Sequence, residues 1–247
     1  MSTFKLILEY DGTAYAGWQR QLHQPTIQAA LESALEQITC RRVHTIAAGR
    51  TDAGVHALHQ VVSFRTEKAL QAEQWTRALN GLLPPDISVK STEQVSDTFH
   101  ARYDAVAKVY EYRIINQPTR PALERHRGWH IFRPLDVEAM QQAARILIGR
   151  HDFSSFQGSP TQVLNPICHL HRLVLQPEGS IIRITIQADR FLKQMVRTVV
   201  GTLVEIGLQR RSPETMDEIL RAKDRRAAGK TAPPHGLYLM DVFYKPS

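Results

Sequence analysis

The sequence predicts an α+β protein built as two similar halves, and three observations carry that reading. Residues 1–105 run strand, helix, strand, strand, helix, strand, the order of a ferredoxin-like or split βαβ unit. Residues 106–247 hold similar ingredients in a second α/β half of the same ferredoxin-like or RNA-recognition-like kind. No low-complexity linker divides them, so the halves are expected to join in a mainly antiparallel mixed sheet around a central cleft. A chain of 247 residues can bury a core of either kind, one large domain or two small halves.

The elements follow from periodicity. Phe4, Leu6, Leu8 and Tyr10 alternate, so 4–10 is a half-buried strand ended by Asp11-Gly12. The loop Tyr15-Ala-Gly-Trp18-Gln-Arg20 offers two exposed-looking aromatics and a cation, a mixture that suits RNA contact or a local packing anchor. Thr26 caps a helix to Ile38 whose apolar stripe is Ile27, Ala30, Leu31, Ala34, Leu35 and Ile38. Strands at 44–48 and 56–64 flank a turn. A helix over 71–83 stops at Pro84-Pro85, and a short strand follows at 86–90.

In the second half, 108–115 is a strand with Tyr110, Tyr112 and Ile114 on one face. A basic loop spans 118–127, a helix 136–148 and a long Ser/Gly/Pro-rich loop 149–166. Strands at 170–175 and 180–186 form a hairpin through Gln-Pro-Glu-Gly. The clearest helix is 192–208, with an unbroken stripe of Leu192, Met195, Val196, Val199, Val200, Leu203 and Val204. A short helix at 215–223 and a strand at 236–244 complete the half.

Composition narrows the function classes. Hydrophobic residues make up 43% and charged residues 22%, ordinary for a soluble globular protein. No apolar run is long enough for a membrane span, and the first residues do not read as a signal peptide. Two cysteines, Cys40 and Cys168, make no disulfide framework, so a cytoplasmic location is the expectation. The net charge of +7 favours a polyanionic partner. Its cations cluster: seven Lys/Arg against three acids over 102–133, and five against one over 221–230, as phosphate tracking requires.

The turn Gly49-Arg50-Thr51-Asp52-Ala53-Gly54 raises a carboxylate between two glycines, two residues from an arginine. Read locally, Asp52 is first a turn residue that bonds its own backbone, and second a reactive group. Other signals are weaker. Ala228-Gly229-Lys230-Thr231 imitates the end of a phosphate-binding loop, but Asp224 stands where the first glycine belongs. His56-x-x-His59 and Cys168-His169-x-His171 lack a second ligand pair at zinc spacing, so no metal is expected. Ser154-Ser155 has no nucleophile elbow.

Three segments together resemble the pseudouridine synthases, specifically the tRNA pseudouridine synthase A family: 49–57 around Asp52, Lys108-Val-Tyr110-Glu-Tyr112, and 191–201 around Arg197. Further matching stretches at 79–87, 99–102, 151–156 and 232–239 run in the family's order over nearly the whole chain. The resemblance implies the pseudouridine synthase fold and a cofactor-free, metal-free isomerase. It implies a homodimer that clasps tRNA and converts uridines at positions 38, 39 and 40 of the anticodon arm. By motif match Asp52 is the catalytic aspartate, Tyr110 the tyrosine packing on the target base, Arg197 the partner of the aspartate, and Arg50 the residue that helps extrude the base. Lys108, Arg102, Arg125 and Arg127 are expected as further substrate contacts.

The residue types suit that chemistry. Isomerising uridine breaks the N-glycosidic bond, turns the uracil and joins C5 to C1′, with nothing oxidised. An aspartate with an ordinary pKa of about 3.9 is ionised at neutral pH, and a guanidinium offsets the rise that burial causes. A base taken from its stack recovers part of that cost on an aromatic ring. Two other readings remain open from sequence: a non-catalytic RNA-binding module using Tyr110 and Tyr112 on one strand face, and a nucleoside glycosidase that would release free uracil.

Overall fold

The computed structural model describes residues 1–159 and 165–245. The chain forms two compact units, Met1–Val106 with Tyr238–Ser247, and Ala107–Leu237.

In the first unit β1 (Ser2–Tyr10) turns Phe4, Leu6, Leu8 and Tyr10 into the core, as alternation dictates. The Thr26 side chain accepts the Ala29 N–H and opens α1 (Ile27–Thr39), which buries Ile27, Leu31, Ala34 and Leu35. β2 (Thr45–Ala47) and β3 (His56–Thr66) flank the Asp52 turn. Gln71 and Gln74 form a reciprocal capping box on α2 (Ala72–Leu82), and β4 (Ile87–Val95) closes the βαββαβ run. The strands pair antiparallel in the order β4-β1-β3-β2, the ferredoxin-like arrangement. Phe4, Phe64 and Trp75 make the aromatic centre of this core, with ring centroids 5.2–5.6 Å apart.

The second unit begins with β5 (Ala105–Asn116) and β6 (Trp129–Ile131), followed by α3 (Val137–Ile146) and β7 (Gly149–Asp152). The hairpin of β8 (Ile167–Glu178) and β9 (Ile181–Ala188) turns at Gly179, where φ is +61°. Strand order is β5-β9-β8-β7, antiparallel, with β6 parallel on β5. α4 (Met195–Gly207) and α5 (Thr215–Ala222) follow. The last strand, β10 (Leu237–Tyr244), lies parallel to β3, with Tyr238 opposite His56 and Leu239 opposite Ala57.

Three sequence expectations are corrected. The long loop expected over 149–166 contains β7 and a 3₁₀ turn at Ser154–Phe156, because Gly149-Arg-His-Asp pairs with β8 although it has no apolar alternation. Residues 160–164 of that loop lie outside the described residues. α4 starts at Met195 rather than Leu192, since Gln194 takes a left-handed φ of 58°. Trp18, expected exposed, is 3% exposed and packs against Tyr10 with ring centroids 6.2 Å apart.

One carboxylate ties the first unit's helix layer to its sheet. Glu32 is buried on α1, and its Oε1 accepts from Gln28 Nε2, Thr45 N and Thr45 Oγ1, each at 3.0 Å. Removing it leaves two donors of a buried threonine without their acceptor. Glu32→Ala is expected to lower stability by about 2–4 kcal/mol in urea unfolding. Glu36→Ala, exposed on the same helix, should shift it by less than about 0.5 kcal/mol.

Candidate active site

The Asp52 turn is held from behind by the loop that follows β1. A Cβ on Gly17, where φ is +98°, would stand 2.6 Å from the Thr51 carbonyl oxygen and 3.0 Å from Ala53 N. One on Gly12 would stand 2.0 Å from the Val55 carbonyl oxygen. Backbone thus lies on backbone, closer than any other residue allows. The Trp18 N–H donates to Thr51 O at 3.0 Å, and the Gly54 N–H donates to Tyr15 O at 3.2 Å. The aromatic loop at 15–20, which sequence offered as an RNA contact or a packing anchor, is an anchor: Trp18 is buried and the Tyr15 hydroxyl donates to Asp86 Oδ1 at 2.6 Å.

A buried polar prop lies under the same turn. The Tyr10 hydroxyl pairs with Thr51 Oγ1 at 2.8 Å. Gln60 Nε2 donates to Gly49 O at 2.8 Å and to the Tyr10 hydroxyl at 3.3 Å. Burial pushes the Tyr10 phenol up to about 12, with the bonds to Thr51 and Gln60 drawing it part of the way back, so the prop is uncharged at neutral pH. His56, at the end of the turn, is buried, accepts the Gly12 N–H on Nδ1 at 3.1 Å and stacks on Tyr238 at 4.7 Å. Between these supports Asp52 is half-buried and Arg50 is exposed. Gly54 supplies the turn's positive φ, +76°, while Gly49 does not.

In the second unit Arg197 is set by a strap laid along α4. Of that helix's residues only Arg197 and Glu205 are not buried, and Gly201 lies between them on the same i, i+4 ridge. The Arg197 Nε donates to Ala232 O at 2.8 Å, and the Ala232 N–H donates back to Arg197 O at 3.0 Å. Further along, the Lys230 N–H donates to Glu205 Oε1 and the Gly229 N–H to Thr202 Oγ1. A Cβ on Gly201 would sit 1.7 Å from the Lys230 carbonyl oxygen. The segment that imitated a phosphate-binding loop is therefore this strap, and Arg225 braces it through Gly229 O and Thr231 Oγ1.

The tyrosines of β5 stand nearby in the fold of this unit. Tyr112 is fully buried, its hydroxyl donates to Pro233 O at 2.8 Å, and burial raises its phenol far above the ordinary range against the pull of the Arg197 charge. Tyr110, on the same face, is 7% exposed and meets the ring of Phe191 edge-on at 5.0 Å. His235 is held below the usual imidazole range by burial, then by the positive charge of His126 and of Arg197. Sequence reasoning passed over His235, Gln60 and the two glycines of the 12–17 loop. Gln60, a polar residue inside an apolar strand run, was the one readable signal.

The expected substrate contacts are placed as follows. Lys108 is half-buried on β5, and Arg125 is exposed with its guanidinium on Ala122 O. The Arg127 backbone N–H donates to Glu124 O. Arg102 is exposed beside Tyr103. Within 221–230, Arg221 pairs with Asp217, Lys223 with Asp152 and Arg226 with Asp224, which spends part of that cluster inside the fold. Among the described residues no group of three or more His, Cys, Asp or Glu could hold a metal ion, and no helix is long and apolar enough to cross a membrane.

The two glycine contacts make a paired prediction. Gly17→Ala and Gly201→Ala should each lower stability by about 1–3 kcal/mol in urea unfolding, because the added methyl meets backbone that has to shift. Gly81→Ala, where nothing lies within 4 Å, should change stability little or raise it.

The sequence matches the family described as tRNA pseudouridine synthase over residues 6–104 and 143–245. Three proteins named tRNA pseudouridine synthase A are similar over almost their whole length. That of Myxococcus xanthus is 45% identical, covering 99% of this chain and 93% of its own. That of Thermoanaerobacter sp. (strain X514) is 43% identical, covering 99% and 100%. That of Bordetella avium (strain 197N) is 45% identical, covering 99% and 92%. The chain belongs to the tRNA pseudouridine synthase family, and it is an isomerase that forms pseudouridine in tRNA.

Proposed function

We propose that this chain isomerises uridine to pseudouridine at positions 38, 39 and 40 of the anticodon arm, with the Asp52 carboxylate as the catalytic group. The observation that carries the reading is the Asp52 turn, a half-buried carboxylate on backbone clamped by Gly12 and Gly17 and propped by Thr51, Tyr10 and Gln60. A carboxylate used to attack C1′, to add to the base or to take the 2′ proton has to be ionised and held in place, and preorganisation is worth more than reach.

In this reading the target uridine leaves its stack to meet Asp52. Arg50 helps extrude the base, Tyr110 packs on it, and Arg197 partners Asp52. Arg197 is suited to that task because its Nε is tied to Ala232 O, which orients the guanidinium. The Phe191 ring, edge-on to Tyr110 at 5.0 Å, supports the tyrosine's role by holding its ring from one side. The edges of the substrate fall to Lys108, Arg102, Arg125 and Arg127. A homodimer working in the cytoplasm completes the proposal, each subunit contributing surface to one tRNA.

The decisive experiment is Asp52→Asn, assayed by release of tritium from C5-labelled uridine in tRNA and by mapping pseudouridine in the product. Activity is expected to fall by at least about a thousandfold while tRNA binding persists. Residual activity within tenfold of the parent, or pseudouridine outside 38–40, overturns the assignment. Neutralising Arg125 and Arg127 together should raise KM with kcat unchanged, and each lost phosphate contact should flatten the salt dependence of binding by about one unit of slope. A salt slope equal to the parent's removes those two residues from the interface.

A further inference from the structure

The tight loop at 99–104 carries an exposed aromatic that the chemistry above does not use. Tyr103 is 75% exposed, one of the most exposed large apolar residues among those described. Its ring is stacked on His100, with centroids 4.3 Å apart and planes 29° from parallel. The Arg102 guanidinium carbon lies over the Tyr103 ring, 5.7 Å from its centroid and within cation–π range.

The loop itself is rigid. His100 Nδ1 accepts the N–H groups of Arg102 and Tyr103, and the His100 N–H donates to Asp104 Oδ2 at 2.8 Å. Ala101 is fully buried, its N–H donating to Ser63 Oγ on β3 and its carbonyl accepting the Tyr244 hydroxyl at 2.7 Å. Phe99 packs on Tyr244 at 5.2 Å. The exposed ring is thus carried on a loop held by hydrogen bonds to its own His100 and to Ser63 and Tyr244. An accessible ring backed by a histidine, with a cation beside it, is the combination that accepts an unpaired nucleobase on the aromatic and its phosphate on the arginine.

We propose that Tyr103, backed by His100 and flanked by Arg102, is a stacking platform for one unpaired base of the tRNA, separate from the target uridine. The proposal rests on tRNA being the substrate and extends the reading of Arg102 from a phosphate contact to half of a base-and-phosphate site. Stacking needs an open base face, so the platform takes a loop or end nucleotide rather than a paired one.

The test measures equilibrium binding of tRNA and steady-state KM and kcat for the parent, Tyr103→Ala, Tyr103→Phe and Arg102→Gln. Tyr103→Ala is expected to raise Kd and KM about fivefold to a hundredfold with kcat at saturating tRNA unchanged. Tyr103→Phe should stay within about twofold of the parent. Arg102→Gln should weaken binding and reduce the salt slope by about one. A Tyr103→Ala protein that binds like the parent overturns the platform, and so does a Tyr103→Phe as damaged as Tyr103→Ala, since a ring without its hydroxyl still stacks. Thermal melting separates loss of fold, because a residue this exposed should leave the midpoint within a degree or two. Binding is read without turnover. A parent that binds tRNA with this Tyr103 dependence but forms no pseudouridine would defeat the function proposed above and leave the platform standing.

Discussion

The approach of Gly17 to the carbonyl of Thr51 is the constraint on which the first unit's chemistry depends. A hydrogen bond alone would leave the turn free to breathe. Two glycines pressed on backbone, with N–H groups of Trp18 and Gly54 closing the same contact, clamp the main chain of the Asp52 turn. That leaves the carboxylate side chain as the variable part. A main-chain clamp has another merit: it spends no side chain on the turn, so the exposed edge can carry Arg50 and Asp52. The prop beneath works in the same sense. Tyr10, Thr51 and Gln60 exchange neutral hydrogen bonds beneath the turn.

The second unit solves a similar problem with a different device. Arg197 sits on a helix that is buried nearly all round, where a guanidinium is expensive unless its donors are met. The strap from Gly229 to Ala232 meets them in part, and it can lie so close only because Gly201 has no side chain. Glu205 holds the far end of the strap through the Lys230 N–H and is itself paired with Arg211 at 2.8 Å. Arginine, unlike histidine or lysine, needs no protection of its charge from burial of this degree, so the strap's contribution is direction rather than ionisation. His235, three residues beyond Ala232, is the group whose charge the surroundings suppress, which keeps a further cation from competing beside Arg197.

Sequence alone carried the helices, most strands and the order of the first unit, because those rest on local periodicity and caps. Thr26 was legible as a helix start for that reason. β6 and β7 were not: three and four residues of mixed polarity become strands only through their neighbours, β5 and β8. The start of α4 was misplaced because the apolar stripe continues through Leu192, while a left-handed Gln194 breaks the helix on tertiary grounds. Asp52, Tyr110 and Arg197 were picked out by motif rather than by local physics. On local physics Asp52 was a turn residue and Tyr110 a core residue, and the second description still fits Tyr110, 7% exposed as it is.

The glycines show where such reading stops. Gly12, Gly17 and Gly201 look like ordinary loop and helix glycines in sequence, and propensity would score Gly201 as a defect of about 1 kcal/mol in a helix interior. Their value is set by backbone that lies 1.7–2.6 Å from a missing methyl, in segments 29 to 43 residues away. The decoy at 228–231 has the same origin. A Gly-Lys-Thr run invites a phosphate when read alone, yet Gly229 is small because Thr202 Cα is 2.9 Å from where its Cβ would be. Two opposite misreadings, a glycine taken as neutral and a motif taken as functional, thus come from one cause: backbone-to-backbone contact leaves its mark on residue size and none on hydrophobic period.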